Sequence, residues 1–249
     1  KYPNGKVKQL EGFLVEGTFH DYRPETHRLL NVDYVKLSAW NMYRFYCDYF
    51  GADQPATGVV SGAVKDCRRI MNHRNYHNWI KGSHDMYAPL NGAKITLVDA
   101  NGNVADTYTT DNNYNGVFVF WNVKPGKYTV KMEAEGYETV EKAVTVEAAK
   151  MCDFVQMLNN PDYVEPKLAT GMFNRWAFGL NTTALEGDKY RLDFDLLKDI
   201  DNGVITITDG KETVKEFVLE AKTKGKVSQE IDLAGVKGKN LLWEINQVK

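Results

Sequence analysis

The stretch Leu14-Val15-Glu16-Gly17-Thr18-Phe19 carries the first side chain with a chemical position. Phe13-Leu14-Val15 is a continuous apolar run, as in a strand buried on both faces, so Glu16 stands at the C-terminal end of that strand. Open α/β sheets gather their sites there, and a carboxylate in that place can act as a general base. The plainer alternative is a Glu that leaves the sheet for solvent. His20 and His27 follow it. His20 could line the same cleft and touch substrate, whereas His27 belongs to a loop-to-helix turn at the surface. A second group is Cys67, His73, His77 and His84, in a polar insertion between Lys65 and Leu90. His73 and His77 are four apart, as on one helical face, and zinc or copper would need three or four such ligands to converge. The alternative there is a solvated loop anchored by Tyr76 and Trp79. Trp176 or Trp243 could floor a sugar-binding surface, but core packing of a sandwich is the expected role.

These residues need elements to hold them, and 249 residues leave room for two or three domains. Hydrophobic residues at 43% and charged ones at 26% fit a globular chain and exclude a disordered tail or a fibre. The net charge of −2, from 31 basic and 33 acidic residues without a block of one sign, argues against nucleic acid or an anionic membrane as main partner. No apolar run approaches the ~18–20 residues that span a bilayer. The chain shows no signal peptide and opens at Lys1, which reads as a mature or trimmed piece of something longer. Three scattered cysteines do not make a disulfide framework, and an odd count leaves at least one thiol unpaired. They do not indicate a compartment.

Turn-rich stretches at 51–55 and 159–166 divide the chain. The expected fold class is mostly β: a short α/β fragment of strand plus helix over 1–55, a β-sandwich over 57–159 and a second β-sandwich over 166–249. In the first part, Pro24 at an early helical position and Asn31 as cap precede a helix over 32–50. Asp33, Lys36, Asn41, Arg44 and Asp48 form its polar stripe, and the rest of its surface is apolar. Such a helix needs burial on most of its circumference. A segment of about 50 residues cannot supply that core, so the expected partner is an upstream part of an α/β domain. If the helix is ordered in this chain, Trp40, Tyr43 and Phe50 should dock on another chain or on the middle β-unit.

The middle unit alternates with period two, with Phe118, Phe120, Tyr128 and Val130 inward and Asn101-Gly102 as a hairpin turn. In the last unit Tyr190, Leu192, Phe194 and Leu196 alternate with Arg191, Asp193 and Asp195, giving a dry face and a wet one.

Two resemblances add to this. Gly58-Val59-Val60-Ser61-Gly62, Leu90-Asn91-Gly92-Ala93, the stretch from Thr110 to Phe118, Asn122 to Val130 and Ala134-Glu135-Gly136-Tyr137 follow in the order of the carboxypeptidase regulatory-like (prealbumin-like) domain. The resemblance implies a small β-sandwich, usually non-catalytic and attached to secreted or envelope proteins. Leu14-Val15-Glu16, then Phe19, Glu25, Leu29, Tyr34 and Ala39, resembles the last strand and helix of the zinc-dependent N-acetylmuramoyl-L-alanine amidases, over about 40 of the 249 residues. Thr18 and Tyr22 stand where that family has Gly and Asn. The resemblance implies that Glu16 is the catalytic carboxylate opposite the zinc, that the zinc belongs to a parent enzyme whose ligands are not in this chain, and that the substrate is peptidoglycan in the cell envelope. Zinc carboxypeptidases offer a similar outline: a catalytic Glu at a late strand end, a helix, then a prealbumin-like module. A third reading is a non-catalytic envelope adhesion or binding module.

Overall fold

The structure is a computed structural model that describes residues 17–18, 22–71, 83–172 and 174–248. The expected strand before Glu16, together with Glu16, His20, His73, His77, Tyr76 and Trp79, lies outside the described residues. Among those described, the chain is mostly β, with two helices ahead of fifteen strands.

Helix α1 (Arg23–Leu29) starts with a proline in its first turn, and α2 (Val32–Phe50) is capped by the Asn31 side chain, which accepts from the Tyr34 amide. Gly51 ends α2 in the left-handed conformation that only glycine adopts readily, with φ 66°. No helix among the described residues is long and apolar enough to cross a membrane.

The middle unit comprises β1 (Gly58–Ile70), β2 (Tyr87–Pro89), β3 (Lys94–Asp99), β4 (Val104–Thr109), β5 (Val117–Val123), β6 (Gly126–Glu133), β7 (Val140–Val146) and β8 (Met151–Leu158). One sheet is built around β1, which pairs antiparallel with β5 and β2 along one edge and parallel with β8 along the other. The second runs β4-β3-β6-β7. Between them Val60, Val64, Ile95, Phe118, Phe120 and Met132 form a dry core, as the alternating pattern requires. The last unit comprises β9 (Leu168–Gly171), β10 (Ala177–Ala184), β11 (Lys189–Leu196), β12 (Gly203–Thr208), β13 (Thr213–Leu219), β14 (Gly225–Asp232) and β15 (Leu241–Gln247). Its sheets, β10-β11-β14 and β13-β12-β15-β9, close on Tyr190, Leu192, Phe194, Leu196 and Trp243. Trp243 is fully buried and donates from Nε1 to Thr182 Oγ1 at 2.9 Å, which makes it core and not a sugar platform.

One expectation is corrected. The insertion does not begin at Lys65, because β1 continues to Ile70 and pairs it with Tyr87. The Asp66 carboxylate sustains that extension by accepting from the amides of Arg68 and Arg69 and from the Tyr137 hydroxyl. Within this chain, α2 meets the middle unit along one side. Leu37, with Tyr34 and Trp40 beside it, packs on Val59, Val117, Val119 and Trp121, the outer face of the β1–β5 sheet. Of the three side chains expected to dock, Trp40 does so, whereas Tyr43 and Phe50 are 55% and 73% exposed.

Candidate functional site

Charged side chains in the middle of strands are costly to bury without partners, so the buried ones mark where the sequence has been constrained. Lys65 on β1 is 3% exposed. Its Nζ donates to the Asp85 carboxylate at 3.0 Å and to the His84 carbonyl at 2.9 Å. Arg28 of α1 donates to the same carboxylate at 2.8 Å, and Tyr22 from the head of α1 at 3.0 Å. Burial would push the Asp85 carboxyl up, but the Arg28 hydrogen bond and the Lys65 charge outweigh it and hold it at about 2. Burial pushes the Lys65 amine down despite the favourable charge of Asp85. The Arg28 guanidinium moves up, because its partnership with Asp85 exceeds the opposing effect of burial. The three charges form a clamp across α1, β1 and the turn before β2.

A second contact secures α2. Asn31 Nδ2 donates to Asp111 at 2.9 Å, and Asn115 Nδ2 donates to Asp111 and to the His27 carbonyl. Asp33 accepts from Trp121 Nε1 and from the Tyr108 hydroxyl, each at 3.2 Å. Burial raises the Asp111 carboxyl, and the donors from Asn113, Asn31 and Asn115 more than offset this, lowering it. Asp33, which the helical wheel assigns to a solvated stripe, faces the sheet. His27 is likewise not a surface residue of a turn: it lies within α1, half-buried, with Nδ1 2.8 Å from the Asn113 carbonyl.

Other candidates from the sequence fall apart or stay separate. Glu25 lies in the first turn of α1 and reaches Arg28 at 3.9 Å. Cys67 Sγ lies 3.7 Å from Asn159 Oδ1, and the His84 carbonyl serves Lys65. Among the described residues no three His, Cys, Asp or Glu side chains come together as metal ligands.

A cleft of about 640 Å³ opens where the end of β1 meets the linker into the last unit. Arg69, Met71, Pro89, Tyr114, Tyr163 and Pro166 are among its walls. Tyr114 has φ 54°, a strained setting for an aromatic residue. It is held by its amide bonding to Asn91 Oδ1 at 3.1 Å and by an edge-on contact with the His27 ring. The Arg68 guanidinium lies 5.4 Å from the Tyr163 ring centre and also donates to the Asn160 carbonyl. Burial and the Asp66 charge push the Tyr163 phenol up, against the opposing charge of Arg69. Arg69 is exposed, and its guanidinium has no ion pair among the described residues. Ring faces, apolar walls and a guanidinium are the chemistry of a binding cleft. The sequence hinted at it through aromatic residues inside polar turns, Tyr114 in Asn-Asn-Tyr-Asn-Gly and Tyr163 in the linker.

With known proteins, the carboxypeptidase regulatory-like domain matches residues 85–154. No curated protein matches the chain. Among solved structures, the minor pilin GBS52 of Streptococcus agalactiae is 18% identical at a TM-score of 0.32, over 45% of this chain and 48% of that one. The chain thus spans about half the pilin's length. A candidate carbohydrate-binding protein of Bacteroides uniformis is 10% identical at 0.30, over 78% and 100% of the two chains. The shaft pilin SpaA of Lactobacillus rhamnosus is 12% identical at 0.28, over 79% and 84%.

Proposed function

We propose that this chain is a non-catalytic β-sandwich module of the cell envelope, at the cell surface or in the periplasm, that binds envelope glycan and holds its neighbours in place. The observation that carries this reading is the packing of α2. Leu37 of that helix, with Tyr34 and Trp40, lies on the outer face of β1 and β5. The buried charges of Arg28, Lys65 and Asp85 are engaged in the same joint and are not free to act on a substrate. The regulatory-like match over 85–154 supports the reading, since such modules are usually non-catalytic, and the open cleft supplies a binding surface. The test is co-sedimentation of the full chain with insoluble peptidoglycan and other envelope glycans. Depletion from the supernatant without release of soluble fragments, zinc added, is the expected result. Failure to sediment with any of them, or clear turnover, would overturn the reading.

The amidase resemblance supports a narrower reading, in which the chain is the end of a longer zinc amidase. It is favoured by α2 beginning where that resemblance places a helix. In that parent, zinc would be held by residues outside this chain, Glu16 would be the general base and His20 would touch substrate. Glu16→Gln should then lower kcat by about 10²–10⁴ with zinc content unchanged. Near-normal turnover would remove the assignment.

A further inference from the structure

We propose that the cleft at the end of β1 is a subsite for an acidic saccharide, a pyranose bearing a carboxylate, with Arg69 pairing the acid and Tyr114 and Tyr163 receiving the ring. This rests on the glycan-binding reading above and names its ligand class. Two observations carry it.

The first is charge. Arg68 and Arg69 are adjacent on one strand, yet they are used differently. Arg68 is engaged by the Asn160 carbonyl and the Tyr163 ring. Arg69 has its backbone amide fixed by Asp66, and the residue lines the cleft, exposed and without a carboxylate partner among the described residues. A guanidinium presents a planar fork that fits a carboxylate with two hydrogen bonds.

The second is shape. A volume of about 640 Å³ lies within the range of small-ligand sites and holds a short oligosaccharide. A pyranose has an apolar C–H face and hydroxyl edges, and tyrosine offers both a ring face and a polar tip. Tyr114 is locked by Asn91 and His27 in a strained backbone setting, so its ordering cost is met before a ligand arrives.

The experiment uses the full chain and three probes: trigalacturonate, its neutral methyl ester, and N-acetyl-trialanine with a free carboxylate. Calorimetric titration should show the acid form binding about tenfold more tightly than the ester, the scale of a charge-assisted hydrogen bond. Arg69→Gln should abolish that difference and leave the thermal midpoint unchanged, because its guanidinium holds no ion pair among the described residues. Tyr163→Leu should weaken acid and ester alike. Equal affinity for acid and ester in the wild type, an unaltered preference in Arg69→Gln, or Arg69-dependent binding of the peptide as tight as that of the sugar would overturn the proposal. If wild type and Arg69→Gln sediment equally with envelope glycan and neither binds trigalacturonate, the subsite falls and the module reading survives. If trigalacturonate binds through Arg69 while no envelope glycan retains the chain, the subsite stands and the module reading falls.

Discussion

The Asn31 side chain reaches the Asp111 carboxylate at 2.9 Å across 80 positions of sequence, while its own oxygen caps α2 through the Tyr34 amide at 2.9 Å. A single residue thus starts the helix and fastens it to the sandwich. Local structure and tertiary packing are set at the same point, which is why α2 joins the middle unit instead of trailing from it.

Asn31→Ala should remove both functions. Losing the cap costs about 1 kcal/mol, and leaving a partly buried carboxylate short of a donor adds about 1–3 kcal/mol. Asn31→Ser keeps a capping oxygen but cannot reach Asp111, so its cost should be clearly smaller. Urea denaturation followed by tryptophan fluorescence reads both. Equal stabilities for wild type and Asn31→Ala would mean that the joint is not held here.

The Arg28–Asp85–Lys65 clamp predicts an acid limb in the stability profile. The Asp85 carboxyl lies at about 2 in the folded chain against an ordinary 3.8. Because the folded value is the lower one, the stabilisation is complete above about pH 4 and is lost as pH falls towards 2, about 2 kcal/mol in all. Asp85→Asn should flatten that limb. Asp85→Ala at neutral pH should cost about 3–5 kcal/mol, since it strands a buried lysine. Lys65→Met should cost much less, because Arg28 still pairs the carboxylate. Equal costs for the two substitutions would refute this ordering.

Gly62 marks the close approach of β1 and β8. A Cβ there would run into the Phe154 carbonyl oxygen and lie 2.8 Å from Phe118 Cζ. Gly62→Ala must therefore push the parallel strands apart, and the cost should exceed the 1–3 kcal/mol of ordinary overpacking. Gly92→Ala meets nothing within 4 Å and carries only the strain of φ +69°, so about 1 kcal/mol is expected. Calorimetric midpoints that rank the two the other way would show the β1–β8 pairing to be misplaced.

Local signals made part of this legible in the sequence. Asn31, the apolar spacing and Gly51 delimit α2 as observed, and the alternation of Tyr190 to Leu196 marks a strand with one dry face. What the sequence concealed depends on partners far along the chain. Lys65 and Asp66 look like the start of a polar loop, yet they are 3% and 1% exposed. Lys65 is buried because Asp85 arrives from 20 residues away, and Asp66 because Tyr137 arrives from 71. Asp33 reads as solvated on a helical wheel until Trp121 and Tyr108 are placed against it. The cleft is of the same kind, since Arg69, Tyr114 and Tyr163 meet only once β1, the turn before β5 and the linker are folded.

The central claim is that α2 belongs to the middle sandwich, and hydrogen exchange of this chain in dilute solution tests it most directly. Amides of the turn of α2 that carries Leu37 and Trp40 should be protected to the same order as those of β1 and β5, because opening it uncovers Val59, Val117 and Val119. Asn31→Ala should lower the protection of α2 before that of the last unit. Exchange of residues 32–50 at the rate of an open loop, with β1 and β5 still protected, would contradict the account.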